Sequence, residues 1–356
     1  MTETELKETI ARIASPDEAA RAAAHAHWAK LAKPLGGLGR LETMIEDAAA
    51  LTGREDIVVS RRAVFVRCAD IGVVAQGVSQ TDQSVTRAVA ENLARRTTSV
   101  CRMAETAHCD VVPVDIGMAG EKVRGVLDRR IADGTADFTQ GPAMTRAQTI
   151  GAIEGGMRLV RDWKAKGYTL LATGEMGIGN TTTSSAVASV LLGCDPLLVT
   201  GRGAGLSDSG LSRKLEAIKK AIKLHHPDPE DPLSVLSMLG GFDIAGMVGL
   251  YLGGPLYQVP VLIDGVISAV AALLAVKICP ASKKAMLATH VSAEPAGCMI
   301  LDAIGLEPMI TAGMRLGEGT GALCAIPMLD MACSVYQGST FGELSIEAYE
   351  EQGSQP

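Results

Sequence analysis

Short apolar runs that each end in a glycine-containing turn recur between Arg62 and Gly265, and they predict buried strands. These segments read AVFVRCADIG, VVPVDIGMAG, YTLLATGEMGIG, PLLVTGRGAG and VPVLIDG. Strands that alternate with helices favour an α/β fold with a mostly parallel, Rossmann-like sheet flanked by helices. Because such sheets bind ligands at the carboxyl ends of their strands, we expect the five turns to gather along one edge.

The first 50 or so residues show a helical pattern instead, which is interrupted at Ser15-Pro16 and around residues 33–40. The longest apolar run, GVISAVAALLAV at 265–276, is too short to span a bilayer and predicts a buried helix. The amino terminus is charged and lacks the apolar core of a signal peptide. We therefore expect a soluble, cytoplasmic protein.

Composition narrows the classes of function. The 356 residues include 33 basic and 40 acidic side chains, a net charge of −7, and no basic block argues for nucleic acid as a partner. The 8 cysteines and 6 histidines have no metal-ligand spacing, so neither a metal site nor a disulfide framework is expected.

The turn TGEMGIGNTTTSSAV at 173–187 carries the strongest chemical signal. Its glycines allow a tight turn, and Asn180 with Thr181 can begin a helix whose free N–H groups favour a phosphate. It is not a Walker A motif, because no Gly-Lys-Ser/Thr follows. A carboxylate, Glu175, lies inside the turn, which is unexpected where an anion binds.

Two further glycine-rich segments are candidates. In TGRGAGLSD at 200–208, Arg202 and the following Lys214 can complement a phosphate, although an ordinary solvated loop has the same composition. In MRLGEGTGA at 314–322, Glu318 lies between two glycines at the start of an apolar helix. There it can act as a general base with a raised pKa, or its negative charge can simply interact favourably with the dipole at the N-terminus of the helix.

Carboxylates also follow the other strands, at Asp70, Asp115 and Asp264, where helix capping is the alternative to a role in the site. His290 has no serine elbow near it, and we assign it a structural role. A dinucleotide-binding oxidoreductase would need an acidic residue about 20 positions beyond a GxGxxG motif. The chain has no convincing candidate for it.

The assembled motifs resemble those of the nicotinate-nucleotide:dimethylbenzimidazole phosphoribosyltransferases. They are KPLGGLGRLE, GVVAQGVS, TGEMGIGNTTTSSAV, TGRGAGLSDSGL, GGFDIAGMVG, PVLIDGVISAVAAL, HVSAEPAG and RLGEGTGA, in order from about Lys33 to Ala325. The resemblance implies a large α/β domain at 61–325 and a small helical domain formed by 1–60 with part of 326–356, usually in a dimer. It implies no cofactor.

The same resemblance implies roles for individual residues. Glu318 corresponds to the general base, and Glu175 faces the ribose. The nucleotide is expected at Gly177, Ile178, Gly179, Asn180, Thr181, Gly203, Lys214 and Ser292, and the lower-ligand base at Ser79, Arg87 and Leu316. The expected reaction transfers the phosphoribosyl group of nicotinate mononucleotide to that base.

The chain departs from the family pattern at Asp70-Ile71-Gly72, where the family commonly has Asp-His-Gly. Some relatives use phenol or p-cresol and act as heterodimers, so the base stays open between a benzimidazole and a phenol. A second hypothesis makes the chain a catalytically weak partner subunit. The presence of both Glu175 and Glu318 favours the enzyme.

Overall fold

A six-stranded sheet lies at the centre of the fold, for which the computed structural model describes residues 1–349. Its strands run in the order β3-β2-β1-β4-β5-β6, and every neighbouring pair is parallel. The strands are β1 (Arg62–Ala69), β2 (Asp110–Gly117), β3 (Leu127–Asp128), β4 (Leu170–Met176), β5 (Val261–Ile263) and β6 (Met286–Ala288). The predicted α/β class with a parallel sheet is confirmed.

Helices cover both faces of this sheet. They are α1 (Glu3–Ile10), α2 (Glu18–Lys30), α3 (Arg40–Thr52), α4 (Ser84–Ala94), α5 (Ser99–Thr106), α6 (Arg146–Ala165), α7 (Asn180–Leu192), α8 (Pro196–Val199), α9 (Asp208–His225), α10 (Pro232–Leu239), α11 (Phe242–Leu256), α12 (Val266–Ile278), α13 (Ala296–Ile304) and α14 (Thr320–Tyr336). The apolar run at 265–276 forms α12, as predicted. Within residues 1–349, no helix combines the length and the apolar composition that crossing a membrane requires.

Side chains of β1 point alternately to the two faces of the sheet and so contribute to two different apolar cores. Ala63, Phe65 and Ala69 belong to one apolar core, which also contains residues of α6, α11 and α12. Val64 and Val66 point to the opposite face and join a core with α5 and α14. Arg67 lies on the first face, among the residues of the larger core.

The strand order places β4 on the other side of β1 from β2 and β3. Chain connections therefore diverge between β1 and β4, and a crevice forms beyond the carboxyl ends of strands at such a point. The turn after β4 closes tightly against β1, because a Cβ atom at Gly177 would lie 2.9 Å from the carbonyl oxygen of Ala69. The strand topology thus positions Glu175 at this crevice.

One predicted strand is wrong. The segment PLLVT forms the short helix α8, because Asp195 accepts a hydrogen bond from the backbone N–H of Leu197 and Pro196 suits the first helical turn. Its apolar side chains do not join the sheet, and Leu197 is 61% exposed. The glycine loop that follows nevertheless approaches the same edge as the other turns.

The helices near the two ends of the chain meet in a separate apolar cluster. Trp28 of α2 and Ile45 of α3 pack with Ala332 and Tyr336 of α14. α1 lies elsewhere and is bound to α6 through an ion pair of Arg146 with Glu3, at 2.9 Å. The domain boundaries at 60/61 and 325/326 stay a prediction, and residues 350–356 of the C-terminal part lie outside the described residues.

Candidate active site

A cavity of about 240 Å³ lies at the carboxyl ends of β4 and β5. Three segments form most of its wall: 175–181, from the end of β4 to the start of α7; 264–268, from the end of β5 to the start of α12; and 315–318, before α14. Gly203, Ala204, His290, Ser292 and Glu294 complete the lining. A second cavity of about 530 Å³ shares Gly203, Glu294 and Arg315 with the first, so the two spaces adjoin.

Glu175 lies on this cavity near the end of β4 and is 7% exposed. Its carboxyl group accepts a hydrogen bond from the side-chain amide of Asn180. Burial, followed by the nearby charge of Asp243, raises the pKa of Glu175 to about 8. The carboxyl group is therefore protonated in much of the free protein at neutral pH.

Glu318 enters the cavity from the loop before α14. Its backbone has a positive φ of 59°, and it lies between Gly317 and Gly319, each with φ of 89°. Left-handed backbone is costly for a residue with a side chain and is typical of functional sites. Burial, followed by the charge of Asp264, raises the pKa of Glu318 above its usual value.

The two glutamate-bearing loops touch each other. A Cβ atom at Gly174 would lie 2.7 Å from the carbonyl oxygen of Glu318, and one at Gly317 would lie 2.6 Å from Oε1 of Glu175. Only glycine allows so close an approach at these positions. The structure thus brings together the two carboxylates that the sequence placed 143 positions apart.

Asp264 holds the loop that carries Glu318 through hydrogen bonds to its backbone. Its carboxylate accepts hydrogen bonds from the backbone N–H groups of Gly319 at 3.0 Å, Gly321 at 2.7 Å and Ala322 at 3.2 Å. These are first-turn groups of α14, which otherwise need partners. Asp264 therefore caps the N-terminus of α14, and its side chain also lines the cavity.

Two of the other carboxylates also accept hydrogen bonds from backbone N–H groups of loops. Asp70 accepts from the backbone N–H of Ala119 at 2.8 Å. Asp115 accepts from the backbone N–H of Met118 at 2.9 Å and pairs with Arg130 at 2.8 Å. Neither Asp70 nor Asp115 is among the residues that line the cavity.

The turn after β4 is held firmly in place. The backbone N–H of Ile178 donates to the hydroxyl of Thr86 at 3.1 Å, and that of Asn180 donates to the carbonyl of Gly177 at 3.0 Å. Gly177, Ile178, Asn180 and Thr181 line the cavity. Gly179, with φ of 94°, lies just before the first residue of α7 and faces Val74 instead.

Lys214 connects two of the glycine-rich turns. The side chain is fully buried, and its Nζ donates to the hydroxyl of Thr181 at 2.9 Å and to the carbonyl of Gly201 at 3.0 Å. Burial lowers the pKa of Lys214 to about 8. The ammonium group lies behind the cavity wall, one hydroxyl away from the space that Thr181 and Gly203 line.

The three residues expected to contact the lower-ligand base do not lie together. Leu316 lines the cavity and is 55% exposed. Arg87 donates from Nη1 to the carbonyl of Glu121 at 2.7 Å, and the hydroxyl of Ser79 accepts from the backbone N–H of Thr81 at 3.4 Å. The cavity lining includes neither Ser79 nor Arg87.

Arg315, Glu294 and Asp243 are residues that sequence reasoning missed. Arg315 stands next to Leu316 in a glycine-rich loop, which was a usable signal for an anion site. Glu294 and Asp243 lie within HVSAEPAG and GGFDIAGMVG, but no spacing showed where their side chains point. His290, assigned a structural role, is 5% exposed and lines the cavity.

Comparison with known proteins gives a consistent result. The model of the phosphoribosyltransferase family DBI_PRT matches residues 13–346. The nicotinate-nucleotide–dimethylbenzimidazole phosphoribosyltransferase of Ruminiclostridium cellulolyticum is 47% identical over 90% of this chain and 91% of its own. The protein of the same name from Acetivibrio thermocellus is 46% identical over 90% of this chain and 92% of its own.

The fold is shared as well. The crystal structure of CobT from Thermus thermophilus superposes with a TM-score of 0.88 at 39% identity, over 93% of this chain and all of that one. Sequence and structure thus agree over nearly the whole chain. The chain belongs to the phosphoribosyltransferase family DBI_PRT and is a phosphoribosyltransferase.

Proposed function

We propose that this enzyme transfers the phosphoribosyl group of nicotinate mononucleotide to an aromatic lower-ligand base, which yields an α-ribotide and nicotinate. The relatives that share 46–47% of its residues carry the corresponding name. The observation that supports the proposal best is the convergence of Glu175 and Glu318 on one cavity. A sugar held beside these two side chains suits a reaction in which positive charge develops at the anomeric carbon, because an ionised carboxylate stabilises that charge.

Glu318 acts as the general base in this proposal. Nicotinate leaves as a neutral pyridine ring, so the leaving group needs no proton, and only the incoming base must lose one. A carboxylate whose pKa is raised by burial is a better proton acceptor than an exposed one. Attack from the face opposite nicotinate then converts the β-nucleotide into the α-ribotide.

The phosphate is proposed to bind where the cavity approaches the turns at 177–181 and 201–203. Lys214 supplies charge to this end through Thr181, and Ser292 adds a hydroxyl to the lining. Arg315 reaches both adjoining cavities and carries a second positive charge. Glu175 lies further along the wall, at the place proposed for the ribose.

The base is the least constrained substrate. Leu316 offers an exposed apolar surface against which a flat aromatic ring can pack. Ile71, which replaces the histidine common in the family, is only 1% exposed and provides no polar partner for a second ring nitrogen. We therefore keep both a benzimidazole and a phenol as acceptors, and the test must compare them directly.

The experiment is an assay of the purified chain with nicotinate mononucleotide and either dimethylbenzimidazole or phenol, followed by chromatography and mass spectrometry of the product. We expect an α-ribotide from at least one base, and equimolar bases in competition give the preference. No ribotide from any base, with or without nicotinate release, would exclude this function. Product that forms only after a second, similar polypeptide is added supports the partner-subunit hypothesis instead.

The oligomeric state is tested by light scattering on the same preparation. We propose a dimer, either of two copies of this chain or with a similar subunit. A mass near 37.0 kDa, that of one chain, would contradict both forms.

A further inference from the structure

A single side-chain amide joins two buried carboxyl groups behind the cavity. Nδ2 of Asn180 donates both to Glu175 and to Oδ2 of Asp243, the latter at 3.1 Å. The exposed fractions are 5% for Asn180, 7% for Glu175 and 0% for Asp243. Because a primary amide has two N–H groups, neither remains for a phosphate, and the side chain of Asn180 serves the carboxyl groups instead.

A buried arginine accompanies this arrangement. Arg67 pairs in register with Glu175 across β1 and β4, so both side chains lie on the same face of the sheet. The guanidinium is fully buried, and none of its nitrogens, nor Oδ1 of Asp243, has a hydrogen-bond partner within residues 1–349. Burying a charged guanidinium is costly unless an opposite charge lies close by, and the charge of Asp243 acts on Arg67.

Glycines on α11 and just before it make room for both charges. A Cβ atom at Gly246 would lie 2.7 Å from Nε of Arg67, and one at Gly241 would lie 2.5 Å from Oδ1 of Asp243. Burial raises the pKa of Asp243 overall, whereas the hydrogen bond from Asn180 and, to a smaller extent, the charge of Arg67 favour its ionised form. Asp243 therefore has a cation behind it, while Glu175 faces the cavity.

We propose that Asp243 is a positioning residue for Glu175: through Asn180 it orients the Glu175 carboxyl group, and the two buried carboxyl groups, with Arg67 nearby, form a pair that holds a proton in the free enzyme. Two carboxyl groups that share one amide in a dry site do not both ionise readily. The inference deepens the proposed function, since it rests on Glu175 contacting the ribose.

Other groups also act on the ionisation of Glu175, and they come from every element packed around β4. Negative charges come from Asp264 after β5 and from Glu318 before α14. α12 contributes the neutral Ser268 to the cavity, and Arg87 of α4 is bound to the carbonyl of Glu121. Within residues 1–349, the titratable side chains around Glu175 are Asp243 of α11, Asp264 and Glu318, which act on its pKa, together with the neighbouring Cys68 and Arg67 of β1 and the cavity-lining His290.

The test is a titration of the buried carboxylic acid by infrared spectroscopy, in which the Glu175→Gln variant identifies the band of Glu175. Asp243→Asn removes the charge and keeps the shape, so the band should disappear at a pH lower by about one unit or more. Arg67→Met removes the opposite charge, so the band should persist to a higher pH. The matched control is Glu216→Gln in α9, outside the cavity lining, which should leave the titration unchanged.

Activity provides a second readout. With Asp243→Asn, the acidic limb of the kcat/KM profile should move to lower pH together with the band. If the infrared band titrates at the same pH in the wild type and in both variants, the inference is overturned. A lower kcat in Asp243→Asn without a shift of the band or of the pH profile would also overturn it, because that result indicates only a structural effect. The infrared band can be measured without turnover. If the band shifts in Asp243→Asn but the wild type forms no ribotide, the proposed function is refuted while the positioning role of Asp243 stands.

Discussion

Glu175 and Glu318 owe their raised pKa values to burial and then to different neighbours, Asp243 for the first and Asp264 for the second. This difference gives each residue its own experimental signature. Glu318 extends into the cavity from a loop, whereas Glu175 is tied to Asn180 at the end of a strand. A base that accepts a proton and a group that faces the sugar are suited to these two positions.

Replacing Glu318 by glutamine should lower kcat by about 10²–10⁴-fold, because the base is lost while the shape of the side chain is kept. Nucleotide affinity should change little, since the proposed phosphate contacts other than Arg315 lie on other loops and glutamine keeps the shape of the Glu318 side chain. Both quantities can be measured by steady-state kinetics and by calorimetric titration with nicotinate mononucleotide. The exposed Glu307→Gln serves as the control, and an unchanged kcat in Glu318→Gln would remove this residue from the mechanism.

Replacing Glu175 by glutamine should alter how stability depends on pH. The pKa of Glu175 rises from its usual 4.5 to about 8 on folding, so its contribution is complete below about pH 4.5 and is lost as the pH rises through about 8. Glutamine stays neutral, and the variant should lack this loss, which is on the order of a few kcal/mol. Melting temperatures of both proteins between about pH 5 and pH 9 test this; parallel curves would contradict it.

At the scale of elements, the site depends on contact between the β4 strand and the loop before α14. Gly174 lies directly against the backbone of Glu318 and Gly319, at positions where a Cβ atom would approach to 2.7 and 2.9 Å. Asp264 holds the same loop through three backbone N–H groups. Glu318 is therefore positioned by the backbone contacts of its loop, and the backbone of Val100 also forms a hydrogen bond with its carboxyl group.

Gly174→Ala should push this loop away from β4 and reduce kcat at least tenfold, with a loss of about 1–3 kcal/mol in the free energy of unfolding. The matched control is Gly155→Ala in α6, where an added Cβ meets nothing within 4 Å. That change should be neutral or stabilise the helix by up to about 1 kcal/mol. Denaturant unfolding and steady-state assays measure both effects, and equal outcomes for the two variants would refute the contact argument.

At the scale of the whole molecule, nucleotide binding should stabilise the fold by joining loops that come from distant parts of the sequence. At about 100 times Kd, nicotinate mononucleotide should add roughly 2.7 kcal/mol to the free energy of unfolding. In Lys214→Met the added stability at the same concentration should be smaller, because the proposed phosphate end has lost a charge. Thermal shifts relative to each protein's own baseline measure this, and an undiminished shift in the variant would exclude Lys214 from nucleotide binding.

Much of the sheet was predictable because its signals are local. Apolar runs followed by glycine identified β1, β2, β4 and β5, and the break at Ser15-Pro16 separated α1 from α2. The error at PLLVT arose because an apolar run four or five residues long fits a strand and a short helix equally well. β3 and β6, with 2 and 3 residues, were missed because neither is part of an apolar run that leads directly into a glycine-containing turn.

The amino-acid sequence by itself determined the alternation of strands and helices and the glycine turns that carry Glu175 and Glu318, because backbone preference and hydrophobic period act over a few neighbouring residues. Only the tertiary structure decided which carboxylates cap loops and which face the cavity, and it alone placed Asp243 and Arg67 behind Glu175. Hydrogen bonds such as that between Asn180 and Asp243 join residues 63 positions apart. Their geometry follows from how the sheet is wound, which no local pattern contains.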